Sequence, residues 1–503
     1  MADLPMLLPL LTAGQMRELE RQAFGLAGLD ERVVLESAGR AVAAAVAADF
    51  PEGRVVAAVG SGNNGGDAVV ALRTLMAWGR DVVAVPLAGA EIPEGLRHGW
   101  DIPVSADPSV LATAGVILDG ILGTGASGPP RDPVPELVES INAAGCPVVA
   151  IDGPTGVDMT SGAAPGAAVE ARLTVTFGAL KRGLLLHPGR RFAGRVLLAE
   201  VGFPPGGGDE DAAVVTDAWA FEQLPRIAPD AHKSSVGLVG LVAGRHSVGG
   251  AAIMAAMGAL RAGCGGVRVA SAEANRSAIH AAVPEAVFVD RDDPDLLDPL
   301  SGTAAVLIGP GIGTDESARA LLERILAGFD GPLLLDADAL TLVAREPSLL
   351  PSGWAAGVVM TPHPGELGRL LGRPTAEVLA DRFASAVEAA GKFGCTVLSK
   401  GAPSMVAASD GRVLVSVSGH SGVATGGMGD TLGGIVAAFL AGGVQPVEAA
   451  AAGLHFAGRA AEAAGRGRGL LPRDVAESLP EVLLHRDVSR PTAPFIADFP
   501  PAR

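Results

Sequence analysis

A chain of 503 residues with 49% hydrophobic and only 18% charged residues holds enough apolar mass for two large cores. Its net charge of -17 repels nucleic acid and anionic membrane surfaces, so a phosphate ligand has to be held by local donors. Three cysteines without CxxC spacing argue against a disulfide framework and a zinc site, which fits a reducing cytoplasm.

Met1 to Leu11 contains Asp3 and no basic cluster ahead of its short apolar run, which argues against a signal peptide. Thr12-Ala13-Gly14-Gln15 has the form of a capping box. Leu19, Ala23 and Leu26, then Val33, Val34, Ala38, Val42 and Val46, recur at helical spacing, which predicts two helices. Apolar runs separated by helical segments follow: Val55 to Val59, Val82 to Pro86, Val116 to Leu118, Val148 to Ile151, Leu173 to Phe177 and Val196 to Leu198. Such alternation predicts a parallel sheet covered on both faces.

Gly202 to Asp211 breaks the pattern and reads as a linker. A second series then runs through Leu238 to Ala243, Val267 to Ser271, Ala304 to Ile308, Leu333 to Leu335, Gly357 to Met360, Thr396 to Ser399 and Val413 to Val417. The uncharged stretch Thr431 to Val447 is interrupted by glycines and Pro446. It falls short of the about 20 apolar residues of a membrane span, so it reads as a buried helix. These features predict one α/β domain over residues 1–212, a second over 213–487, and a Pro-rich tail over 488–503.

In the first half, Gly60-Ser61-Gly62-Asn63-Asn64-Gly65-Gly66-Asp67 links a strand to a helix. It satisfies GxGxxG, as does Gly123-Thr124-Gly125-Ala126-Ser127-Gly128. However, Val82 to Pro86 ends without the acidic residue that a dinucleotide fingerprint wants, and Pro129-Pro130 spoils a helix after the second match. Carboxyl ends of parallel strands converge on one crevice. That gathers Asn63 to Asp67, Asp119, Gly123 to Pro129 and Asp152-Gly153-Pro154-Thr155-Gly156. There Asn64, Asp119 and Thr155 offer hard oxygens to a cation, and the N–H groups of Gly123 to Gly128 can cradle a phosphate.

These segments resemble the NAD(P)H-hydrate epimerase family over about Leu11 to Pro204. The resemblance implies a Rossmann-like, doubly wound α/β/α sandwich. It implies that Asn63, Asn64, Gly65, Gly66, Asp67, Gly123, Thr124, Gly125, Ala126, Ser127, Gly128 and Pro129 contact the hydrated dinucleotide. Asn64, Asp119 and Thr155 would hold K⁺, and Asp152 would be the acid–base residue. Ala68 and Gly153 depart from the family pattern, which has Gly and an aliphatic residue there.

In the second half, Gly419 to Gly434 contains Gly426-Gly427-Met428-Gly429-Asp430 and opens an apolar helix. Phosphoryl transfer needs donors at such a helix start and a base beside the attacking oxygen; Gly427 and Gly429 supply the first, Asp430 the second. No GxxxxGK[ST] is present, which excludes a P-loop. With Gly309 to Gly313, Asp336 to Leu340, Thr361-Pro362-His363-Pro364-Gly365-Glu366 and Lys400-Gly401-Ala402, this block resembles the ribokinase-like NAD(P)H-hydrate dehydratases over about Leu224 to Leu484.

That resemblance implies that Ala251, Gly311, His363 and Asp430 contact the hydrated dinucleotide, with Lys400, Gly401, Ala402, Pro403, Ser404 and Gly429 on the adenine nucleotide. ADP with Mg²⁺ would phosphorylate the ring hydroxyl. A histidine between prolines can also simply brace a turn. Ser234, His420, Val423, Met428 and Thr341 depart from the family pattern, and Met428 replaces a hydroxyl donor beside the transferring phosphate. The expected protein is a cytoplasmic, homo-oligomeric repair enzyme for NADHX and NADPHX with no nucleic-acid or membrane partner. The rival readings are a vitamin-type alcohol kinase and a domain reduced to binding or scaffolding.

Overall fold

The computed structural model describes residues 6–88, 90–92, 94–204, 211–351, 353–354, 357–486 and 492–502. The linker expected at Gly202 to Asp211 therefore lies largely outside the described residues. The chain forms two compact units: Leu8–Glu210 with Val488–Arg503, and Met1–Leu7 with Asp211–Asp487.

The first unit opens as its sequence dictates. Thr12 caps the helix Ala13–Gly25, accepting from Gln15 N at 3.1 Å, while Gln15 returns a bond to Thr12 N at 2.9 Å. Its sheet has the order Phe495–Phe499, Arg195–Ala199, Leu173–Phe177, Val148–Ile151, Val116–Gly120, Val55–Val59, Val82–Pro86. All neighbours are parallel except the first pair. Side chains alternate across a strand, and the burial follows that rule. Val55, Ala57 and Val59 pack with the helices Glu31–Asp49 and Asn63–Ala77, whereas Val56 and Ala58 pack with the helix Val134–Ala143 on the other face. The chain crosses first from Val55–Val59 to Val82–Pro86 and then back to Val116–Gly120. The crevice between those strand ends is thus the switch point where open α/β sheets bind ligands.

The expected tail is corrected. Phe495–Phe499 forms an antiparallel edge strand on Arg195–Ala199, with Phe499 only 7% exposed and Asp498 forked onto Arg195 at 2.7 and 2.8 Å. Prolines hide this strand from composition-based reading, but an edge strand tolerates them.

In the second unit the sheet runs Val287–Asp290, Gly266–Ser271, Leu238–Val242, Ala305–Ile308, Leu333–Leu335, Val358–Met360, Thr396–Ser399, Ser404–Ala407, Val413–Ser416, Ala212–Val215. The first seven are parallel, and Ser404–Ala407 turns antiparallel to both its neighbours. Helix Met428–Ala441 lies against helix Gly249–Arg261 at backbone range: a Cβ on Gly434 would meet Ala255 O at 2.0 Å. The Ala/Gly-rich sequences of both helices permit this approach, and it fixes the turn that carries Asp430. Among the described residues, no helix is long and apolar enough to cross a membrane.

Candidate active sites

In the first unit, helix Asn63–Ala77 begins at Gly62 with no side-chain cap, so its first-turn N–H groups face the crevice unpaired within the helix. Gly65 allows the helix start to fold onto the strand end, because a Cβ there would lie 2.0 Å from Gly60 O. Asn63 sits at the rim, its amide donating to Glu31 at 2.8 Å. Ala68 and Gly153, the departures from the pattern, have structural uses. Ala68 packs where a Cβ on Gly120 would come within 2.6 Å, and Gly153 yields its space to Met159.

Asp119 is wholly buried. Its carboxylate accepts from Thr155 Oγ1 at 2.7 Å, Thr155 N at 2.8 Å and Ile121 N at 3.3 Å. Burial pushes it up to about 6 despite those bonds. Leu122 N donates to Thr155 Oγ1, and the next residue, Gly123, lies against Asn64, whose Oδ1 would be 3.0 Å from a Cβ there. Asn64 thus stands against the loop that Thr155 ties to Asp119, and Asn64 Nδ2 is buried with no hydrogen-bond partner among the described residues. The loop Ala126–Pro129 lines an adjoining cavity of about 250 Å³ together with Arg131, Gly156 and Val157.

Asp152 adopts a left-handed backbone (φ 64°) at the strand end. Its Oδ2 accepts from Thr124 N at 3.1 Å and from the Thr124 hydroxyl; its Oδ1 accepts from Lys181 Nζ at 2.6 Å. Lys181 is 1% exposed and completes its donors on Thr176 Oγ1 and Phe177 O, both at 2.9 Å. Burial works against the Asp152 charge, but the Lys181 charge and the bonds from Lys181 and Thr124 outweigh it and hold the carboxyl low. Asp67, 7% exposed, goes the other way. Burial, then Asp152 and Glu20, push it well above the carboxylate range, with Lys181 opposing. One buried ammonium therefore serves two carboxyl groups of opposite tendency.

Lys181 is the residue that the sequence reading missed. Its signal was the basic pair Lys181-Arg182 set between apolar runs, Leu173–Phe177 before it and Leu184 to Leu186 after it. Charged groups enter such surroundings only when paired. The short strand Leu180–Lys181, paired in parallel with Leu10 and Leu11, sets its position.

In the second unit, Gly427 takes a left-handed φ of 88° as the N-cap of Met428–Ala441, packed where a Cβ would strike Met254 Sδ at 2.1 Å. A Cβ on Gly429 would lie 3.4 Å from Lys400 Nζ and 3.8 Å from Asp336 Oδ2, so this turn is the floor of a charged pocket. Lys400 Nζ donates to Asp336 at 2.8 Å and stands 3.9 Å from Glu366. Burial depresses Lys400, yet Asp336, Glu366 and Asp430 leave it raised. Asp430 is pushed up to about 6 by burial first and by Asp336 second, with Lys400 pulling back. Glu366 is likewise raised by burial.

Lys400 to Ser404 closes as a turn through Gly401 N to Ser404 Oγ at 3.0 Å and Ser404 Oγ to Gly401 O at 2.8 Å, and Arg382 donates to Pro403 O at 2.7 Å. Ala251 adjoins Gly311, whose Cβ would be 3.7 Å away, and lies one turn before Met254 under Gly427. His363 does brace a turn: its Nδ1 accepts from Gly365 N and Glu366 N, capping the helix Pro364–Leu371, while half its side chain stays exposed. Met428 packs on the apolar core, which leaves the turn's backbone N–H groups as the donors. Among the described residues, no group of three or more His, Cys, Asp or Glu side chains is arranged to hold a metal.

The sequence profile of the NAD(P)H-hydrate dehydratases matches residues 239–481, and that of the YjeF-related protein N-terminus matches residues 31–183. The chain is 37% identical over 482 residues to a bifunctional NAD(P)H-hydrate repair enzyme of Coxiella burnetii, covering 92% of this chain and 96% of that one. A counterpart from Escherichia coli K12 is 33% identical over 488 residues, covering 94% and 93%. Among solved structures, a ribokinase-like superfamily protein of Enterococcus faecalis V583 aligns with a TM-score of 0.50 and 28% identity. That match covers 55% of this chain and 96% of that one.

Lys181→Met would strand Asp152 without its cation. Because the lowered Asp152 stabilises the fold above its unfolded pKa of about 4, the loss is full at pH 7 and shrinks as the carboxyl becomes free to protonate. Urea unfolding of the first unit is expected to show a loss of about 3–5 kcal/mol at pH 7 and a smaller one at pH 4.5. Equal losses at both pH values would contradict the pairing.

Proposed function

The chain belongs to the family of bifunctional NAD(P)H-hydrate repair enzymes, with an epimerase and a dehydratase domain, and from that premise we propose how its residues divide the chemistry. The observation that carries the proposal is that each unit sets a lysine, fully buried in the first and partly buried in the second, beside a turn that carries an aspartate of raised proton affinity, Asp67 and Asp430. Lys181 stands beside Asp152 and Asp67, and Lys400 beside Asp430.

In the first unit, the Gly123–Gly128 N–H groups and the start of helix Asn63–Ala77 would take the pyrophosphate of NADHX or NADPHX. The hydrated ring would lie between Asp152 and Asp67. Exchange of the R and S epimers requires a proton given to the departing ring oxygen and one taken from the returning water. Asp67, protonated by its burial, is the donor in this reading, and Asp152, held ionised by Lys181, is the acceptor. Asn64, Asp119 and Thr155 fit K⁺: they offer hard oxygens, and the buried Asp119 carboxylate has no ion pair among the described residues. The bound ion would supply positive charge beside the pyrophosphate.

In the second unit, Lys400, Gly401, Ala402, Pro403, Ser404 and Gly429 would hold ADP. Ala251, Gly311, His363 and Asp430 would hold the S form of the hydrated dinucleotide. The ring hydroxyl attacks the terminal phosphoryl group as Asp430 removes its proton; AMP leaves, and elimination of phosphate together with a proton from the neighbouring ring carbon, released to solvent, restores the dihydronicotinamide ring. Lys400 and the first-turn N–H groups stabilise the charge that develops on the transferring oxygens. Asp336 faces the glycine turn and would offer a hard oxygen to the Mg²⁺ that accompanies the nucleotide, the phosphates completing its shell.

The vitamin-type alcohol kinase with a scaffolding partner is disfavoured, since the relatives matched over nearly the whole chain are repair enzymes. Three free cysteines support a cytoplasmic setting, and we place the enzyme there as a homo-oligomer.

With mixed NADPHX epimers, ADP and Mg²⁺, Asp430→Ala is expected to abolish the recovery of near-ultraviolet absorbance while epimer exchange, followed by chromatography, continues at the wild-type rate. Loss of both would contradict separate sites. Replacing choline by K⁺ should raise first-unit stability at pH 8 by about 1.4 kcal/mol at ten times Kd, and less at pH 5, where a proton on Asp119 competes. The same gain in Asp119→Asn would remove K⁺ from this site.

A further inference from the structure

A buried polar relay stands apart from the residues used above. His455, 4% exposed on helix Pro446–Ala464, receives Ser418 on one side, Oγ to Nδ1 at 3.1 Å, and Asp217 on the other, Nε2 to Oδ1 at 2.6 Å. Arg459 engages the second oxygen of Asp217 and approaches Glu462 at 3.6 Å, and Glu462 accepts from Gly419 N at 2.7 Å. Burial works against the Asp217 charge, but His455 and Arg459 outweigh it and hold the carboxyl ionised. An ionised carboxylate only accepts, so Nε2 carries the hydrogen; in the neutral ring Nδ1 then accepts from the Ser418 hydroxyl.

A serine, a histidine and an aspartate in a row suggest a hydrolase, and the geometry rejects it. The ring is reversed relative to a hydrolytic triad, with serine on Nδ1. The nearby backbone donors are also taken: Ser418 N by Ser416 Oγ and Gly419 N by Glu462. Neither of these N–H groups is left to hold an oxyanion.

What the relay does fix is the segment from Val417 to Gly427. That segment leaves the strand Val413–Ser416 at Ser416, which pairs with Ser404, and it re-enters at Gly429, against Lys400. Both ends therefore abut the turn Lys400 to Ser404. Its middle is also tied to helix Pro446–Ala464 by His420 Nε2 on Ala461 O at 3.3 Å, while His420 Nδ1 caps the short turn Ser421–Val423, so the His420 departure from the family pattern has a local role.

We infer that His455 is a positioning residue: through Ser418, with Asp217 locking its ring, it holds the loop that walls the nucleotide side of the dehydratase pocket. The inference rests on the reading of Lys400 to Ser404 as the nucleotide turn. It predicts a defect confined to the nucleotide.

The test uses the full chain. His455→Gln keeps a donor for Asp217 but does not reach Ser418, and Ser418→Ala removes the same link from the other side. Each should raise KM for ADP about ten-fold, the effect of one lost hydrogen bond, and leave kcat and KM for NADPHX within about two-fold. The double variant should be no worse than either single, because one link is lost in all three. An unchanged ADP KM, an equal rise for both substrates, or multiplying effects would overturn the relay. Ser418→Ala alone decides the matter if the histidine variant does not fold. ADP titration by calorimetry gives an independent reading: weaker ADP binding in an enzyme inert towards NADPHX would refute the repair chemistry and still uphold the relay.

Discussion

A lysine ammonium drawn out of water survives only where carboxylates surround it, and each unit of this chain draws one in at its candidate site, Lys181 completely and Lys400 with 22% of its side chain still exposed. Lys181 donates to Asp152 at 2.6 Å within reach of Asp67 and Glu20; Lys400 donates to Asp336 at 2.8 Å within reach of Glu366 and Asp430. In both cases one carboxylate is bound by the lysine and another nearby is pushed upward. The charge budget of the pocket thus sets which acid keeps its proton, without help from a strongly acidic surface.

The glycine turns follow from the same constraint. On the proposed reading a polyanionic ligand would be held on a chain of net charge -17 by backbone donors, which reach it only where Cβ atoms are absent. Gly65 and Gly429 meet this need in different folds, one at the switch point of a parallel sheet and one above a pair of Ala/Gly-rich helices at backbone contact. The relay from Asp217 through His455 to Ser418 would brace the loop that leads into the second of these turns.

Much of this was legible in the sequence. Apolar runs at Val55–Val59, Val148–Ile151, Leu173–Phe177 and Thr396–Ser399 carry strand length and β-branched content, and Leu333–Leu335 is wholly apolar, so their bounds emerge unchanged. Polar residues at strand ends likewise pointed to Asp119 and Asp152, and the glycine-rich start of helix Met428–Ala441 pointed to Asp430. Lys181 stayed hidden because its partner lies 29 residues away, and only the pairing of a two-residue strand brings the two together. The strand Phe495–Phe499 was masked by prolines and by its partner strand's distance in sequence. Asp217 and His455, 238 residues apart, carry no spacing signal at all. Local pattern discloses elements and turns, whereas pairing between distant charges is a product of topology.

The claim most exposed to test is that Asp430 acts as a base whose proton affinity the pocket has raised to about 6. A base must be ionised to accept, so kcat/KM for ADP-dependent dehydration should fall ten-fold per pH unit below about 6 and level off above it. The decisive measurement is that profile from pH 4.5 to 8.5, corrected for substrate and nucleotide ionisation. A flat profile, or activity that rises towards acid, would contradict the account.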